Sequence, residues 1–142
     1  MGAGIDGQAK LLTARVSGQC GGYASGIADA LVWAANAPMS DISNPNPARV
    51  LNLSLESKGQ CSKTEQETID AAIAEGATVV VAAGNAGEDV RHHAPANCDR
   101  VIVVAALNRD GSRATFSNHG EQVSIAAPGV EIWSTSKLAV IC

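Results

Sequence analysis

Residues Thr78-Val-Val-Val-Ala-Ala-Gly-Asn85 constrain the fold of this chain more than any other segment. Val79, Val80, Val81, Ala82 and Ala83 are apolar without alternation. Such a run predicts a strand covered on both faces, as in a parallel sheet flanked by helices. The run stops abruptly at Gly84-Asn85. Ligands of open parallel sheets collect beyond the carboxyl ends of the strands, so this pair sets an amide donor where chemistry is expected.

The flanking segments alternate between strand and helix. Lys10 to Val16 reads as a strand, and residues 18–22 read as a loop. Between Ser25 and Asn36, the residues Ile27, Ala28, Leu31, Val32 and Ala35 fall at helical spacing along one face. Pro38 to Pro47 contains three prolines and predicts a surface loop. Val50-Leu-Asn-Leu-Ser-Leu55 alternates like a half-buried strand. Ser62 or Thr64 can cap a helix that runs through Glu75 and stops at Gly76, with Ser62 and Glu65 at capping-box spacing. After the central strand come a loop through Asn97, a strand at 100–106, a turn at Asn108-Arg-Asp-Gly111 and a short strand at 123–127. The pattern predicts an α/β fold of three layers, a mostly parallel sheet with flanking helices.

With 142 residues and 46% hydrophobic content, the chain can build one domain with one core. A net charge of −4 supplies no basic stripe, which argues against nucleic acid as a partner. No apolar run approaches the roughly 20 residues that span a bilayer, so no membrane association is expected. Met1-Gly-Ala-Gly-Ile-Asp-Gly7 also lacks the basic and apolar regions of a secretory signal.

Several short motifs stand in order around the central strand: Ala9 to Val16, Cys20-Gly-Gly-Tyr23, Val50 to Leu55, Ala82-Ala-Gly-Asn85, Ala94-Pro-Ala96, Phe116-Ser-Asn118 and Ile125-Ala-Ala-Pro-Gly129. In this order and at this spacing they resemble the subtilisin-like serine proteases, the subtilases, over about residues 7–136. The resemblance implies a partial subtilisin-like fold and, in the parent protein, peptide-bond hydrolysis. Asn85 would then donate its side-chain amide to the oxyanion of the acyl-transfer transition state. Removing the equivalent asparagine of subtilisin costs about 10²–10³ in turnover, a magnitude established for that enzyme. An extended peptide would be added as a strand between two rims, Gly21, Gly22 and Tyr23 on one side, Ser54 and Leu55 on the other. Ala82, Ala83 and Gly84 are small and would leave room for a substrate side chain. The family usually continues Ser-Leu-Gly-Gly, where this chain has Ser54-Leu55-Glu56-Ser57. Glu56 is therefore expected to narrow the groove or to favour basic substrate side chains.

The family's catalytic residues sit in Asp-Thr/Ser-Gly, His-Gly-Thr-His and Gly-Thr-Ser-Met, and none of these strings occurs in this sequence. The chain thus resembles an internal fragment, residues 1–142 forming one partial catalytic domain whose tail, 134–142, diverges from the family. It is expected to keep the groove and Asn85, to lack the triad and to be inactive alone. Two alternatives stand beside this: a non-catalytic peptide- or protease-binding module, or a new activity of the truncated protein. The partners expected are a peptide or protein substrate for a secreted parent, and self-association through core surface left exposed. No cofactor is expected. Calcium is compatible with the family, though no residue here is assigned to it.

Cys20, Cys61, Cys98 and Cys142 lack the Cys-x-x-Cys spacing of zinc sites and allow three full pairings. The resemblance implies a Cys61–Cys98 bridge, with Cys20 pairing to a cysteine upstream of Met1; four reduced thiols are the other reading. His92, His93 and His119 read as surface residues. A zinc site built from His92, His93 and Cys98 has no evident fourth ligand. Gly84-Asn-Ala-Gly87 lacks the remaining elements of a phosphate-binding loop.

Overall fold

A computed structural model describes residues 6–18 and 21–132. In chain order its elements are α1 (Ala24–Ala35), β1 (Val50–Leu53), β2 (Ser57–Lys58), α2 (Lys63–Ala74), β3 (Thr78–Ala82), a 3₁₀ turn (Val90–His92), β4 (His93–Ala94), β5 (Ile102–Leu107) and β6 (Ile125–Pro128). Four strands form a sheet in the order β1-β3-β5-β6, every pair parallel. β2 and β4 make a separate antiparallel pair, Ser57 opposite Ala94 and Lys58 opposite His93. The mixed α/β architecture with a mostly parallel sheet agrees with the pattern in the sequence.

Local chemistry sets the helix ends. Ser62 Oγ accepts from the Glu65 N–H at 3.2 Å, while Glu65 Oε2 accepts from the Ser62 N–H at 2.8 Å. This reciprocal box satisfies two donors that the first helical turn leaves open. At the other end of α2, Gly76 takes φ +84 and donates to Ile73 O at 2.9 Å. α1 stops where Asn36 adopts φ +56, the left-handed conformation common at helix carboxyl ends.

The core lies on one side of the sheet. Leu51, Leu53, Val79, Val81 and Val103 pack against Leu31, Ala34 and Ala35 of α1 and Ile69 and Ala72 of α2. Ile69, Val79, Val81 and Val103 are each 1% exposed, and burying side chains of this size contributes about 1.5–3 kcal/mol apiece.

Two sequence expectations change here. Residues 10–16 do not form a strand, because the described residues offer no neighbouring strand to complete a ladder. The run 78–82 is buried at alternate positions rather than on both faces: Val79 and Val81 face the helices, whereas Thr78, Val80 and Ala82 are at least partly exposed. Both helices pack on the same face of the sheet among the described residues. The divergent tail, 134–142, lies outside the described residues, as does Cys20.

Candidate active-site cleft

Parallel strands all finish at the same edge of their sheet, so the segments leaving β1, β3 and β6 converge. A cleft of about 370 Å³ opens there, lined by Asn52, Ser54, Ala82, Ala83, Gly84, Asn85, Ser117 and Ala127–Gly129. Of the residues singled out in the sequence, this cleft gathers Ser54, Ala82, Ala83, Gly84 and Asn85. Gly21, Gly22 and Tyr23 line a separate depression with Arg15, Val16 and Asp29. Leu55 borders an apolar groove between α1 and β1.

The turn after β3 has every backbone donor from 85 to 88 engaged. Asn85 N–H donates to Glu56 Oε2 at 2.8 Å. Ala86 and Glu88 donate to Asn118 Oδ1 at 3.0 and 2.9 Å, and Gly87 donates to Phe116 O at 2.7 Å. Asn118, fully buried, also sends Nδ2 to Ala83 O at 2.9 Å and its own N–H to Gly84 O at 3.0 Å. Asn85 itself stays exposed at the cleft rim. Asn118 was visible in the Phe116-Ser-Asn motif, but nothing local in sequence shows that it braces a turn 30 to 32 residues away.

Gly84 is required by this arrangement. It adopts φ +106, and a Cβ there would collide with Asn118 Nδ2 and the Glu56 carboxyl. Gly84→Ala is expected to cost about 2 kcal/mol or more, since backbone strain alone is worth about 1–3 kcal/mol. Urea unfolding measures it; an unchanged midpoint would show that the turn adapts freely.

Two residues sit differently from their sequence expectation. His93 is 2% exposed rather than on the surface. Its Nδ1 lies 2.7 Å from Glu56 Oε1, close but not aligned as a hydrogen bond, and its Nε2 lies 3.0 Å from Glu88 Oε2. Lys58 Nζ lies 2.9 Å from the same Glu88 oxygen. Lys58 first and His93 second hold the Glu88 carboxyl below the usual carboxylate range. Glu56 is the other case. Its side chain, 24% exposed, is engaged by Asn85 N–H, His93 and, at 3.3 Å, Asn118 Nδ2, partners that the sequence does not show. His92 and His119 are exposed. No cluster of three or more His, Cys, Asp or Glu able to hold a metal ion occurs among the described residues. Cys61 and Cys98 are joined by a disulfide across 37 residues of chain, with Cα atoms 5.1 Å apart.

Comparison with known proteins gives this mixed α/β domain a family. The family model for the subtilase family matches residues 2–140. The extracellular protease of Xanthomonas campestris pv. campestris is 48% identical over 134 residues, 94% of this chain and 23% of that protein. The extracellular basic protease of Dichelobacter nodosus is 43% identical over 134 residues, 94% of this chain and 22% of that protein. A solved protease structure from Pseudoalteromonas arctica superposes with a TM-score of 0.78 at 46% identity, covering 81% of this chain and 34% of that one. The chain belongs to the subtilase family of serine proteases. It spans under a quarter of the length of these two curated relatives.

Proposed function

We propose that this chain carries the substrate edge and one oxyanion donor of a secreted serine endopeptidase, and that it performs no triad-type hydrolysis alone. The observation that carries the proposal is the position of Asn85, exposed on the cleft rim at the carboxyl edge of a parallel sheet. There an amide can point at charge developing on a substrate carbonyl. The three triad strings of the family are absent from the sequence, so this chain supplies neither nucleophile nor base in those settings. Secretion is supported by the word "extracellular" in the names of the two relatives and by a disulfide, which persists in oxidising compartments. No helix among the described residues is long and apolar enough to cross a membrane. Nucleotide sequence on either side of the codons for residues 1–142 tests the proposal. His-Gly-Thr-His codons upstream and Gly-Thr-Ser-Met codons downstream would support it; their absence from both sides would contradict it.

A second reading, peptide binding without cleavage, has one observation in its favour. Among the described residues β1 pairs only with β3, so its other edge presents backbone donors and acceptors to an added strand.

The sheet face left uncovered among the described residues bears on partners. Val50, Ile102 and Ile125 are 61%, 39% and 57% exposed, and strand register sets them on the same face as Val80 and Val104. An apolar surface of this kind is usually covered by a partner. The chain is therefore expected to self-associate through this face in sedimentation experiments, with Ile102→Arg shifting it toward monomer. A monodisperse monomer of the unmutated chain at high concentration would contradict this.

A further inference from the structure

We propose that Glu56, seated against His93, is a positioning residue for Asn85: it holds the Asn85 backbone and so sets the direction in which the side-chain amide leaves the turn. The inference deepens the proposed function and rests on Asn85 as the oxyanion donor. It starts from a division of labour in the turn. Asn118 and Phe116 take the N–H groups of residues 86, 87 and 88, which leaves the N–H of Asn85 to a side chain from another element. Glu56 reaches it from the segment just before β2 and accepts at 2.8 Å. A carboxylate accepting from a backbone N–H makes a short, charge-assisted bond, about twice as strong as a neutral one.

The carboxylate is itself held in place. Pairing of β2 with β4 brings Glu56 beside His93, whose ring is buried between Glu56 and Glu88. With Lys58 also paired to Glu88, the row runs Lys58, Glu88, His93, Glu56, Asn85, each neighbour within 3.1 Å of the next. The Glu56 side chain is only 24% exposed, so water competes weakly for its oxygens. Gly84 completes the arrangement, because any larger residue there would displace the Glu56 carboxyl from the turn. Glu56 thus has a defined task at the position where the family usually has glycine.

Amide hydrogen exchange on the full chain, read residue by residue by NMR, tests this. In the unmutated chain the Asn85 amide is expected to be protected even though the residue is exposed. Glu56→Ala is expected to lower that protection about 10-fold or more, in line with loss of a hydrogen bond to a charged group. The core amides of Val81 and Val103 should keep their protection. Glu56→Gln, which retains an acceptor, is expected to restore most of the loss, a rescue that a general weakening of the fold would not give. An unprotected Asn85 amide in the unmutated chain would overturn the proposal without any variant, and so would protection unchanged by Glu56→Ala. The oxyanion reading fails separately: in a longer, active form of the chain, Asn85→Ala with unchanged turnover would sink it while leaving the exchange result intact.

Discussion

The purified 142-residue chain is expected to release no product from a chromogenic peptide above the uncatalysed rate. Magnitudes known for subtilisin support the expectation. Loss of its nucleophile or its base alone costs about 2 × 10⁶ in turnover, roughly 8–9 kcal/mol of barrier. Binding and the oxyanion hole together retain only about 10³–10⁴ over water. By family resemblance the oxyanion hole has a second donor, the backbone N–H at the serine, and this sequence has no Gly-Thr-Ser-Met string to supply it. Ser54 and Ser117 line the cleft, but Ser117 is 1% exposed and its Oγ is already bonded to Ala106 N–H and Asn118 O. His93 is buried against two carboxylates and cannot approach a substrate hydroxyl or carbonyl without leaving them. Hydrolysis that scales with enzyme concentration and is blocked by a serine-directed phosphonate would contradict this expectation.

Replacing both bridged cysteines, Cys61→Ala with Cys98→Ala, is expected to destabilise the chain by about 4 kcal/mol. Closing a loop of 37 residues removes that much conformational freedom from the unfolded chain in the loop-entropy model. Small domains are stable by only about 5–15 kcal/mol, so the loss is a large share of the total. The bridge fastens the start of α2 to the loop before β5. Nearby hydrogen bonds repeat the connection: Asn97 Nδ2 donates to Gly59 O at 2.9 Å, and Asp99 N–H donates to Gln66 Oε1 at 2.8 Å. These bonds keep the two segments near each other when folded, which is why most of the effect is assigned to the unfolded state. Urea unfolding of the oxidised chain and the double variant measures it. A difference below about 1 kcal/mol would mean that the bridge closes a loop already restricted before folding.

Elements defined by local chemistry were legible in the sequence. The Ser62–Glu65 box, Gly76 and the one-sided apolar spacing of residues 27–35 placed both helices within a residue or two. Alternation placed β1, and the apolar run with its Gly84-Asn85 ending placed β3 and the edge of the cleft. Features that depend on distant neighbours were not legible. Lys10 to Val16 has a strand's composition, but a strand exists only with a partner, and none pairs with it among the described residues. His93 looks like a loop histidine until β4 pairs with β2 and carries its ring between Glu56 and Glu88. Glu56 was identified as a departure from glycine, yet its direction could not be read, because that depends on Asn118 and Gly84 packing around it.

Titration of the isotopically labelled chain with an extended peptide, observed by NMR on both molecules, puts the proposed division between binding and catalysis to the most direct test. The expected result is perturbation of Ser54, Leu55, Gly84 and Asn85 resonances while the peptide remains intact for the length of the experiment. Cleavage of the peptide, or perturbations confined to residues away from the β1 and β3 ends, would contradict it.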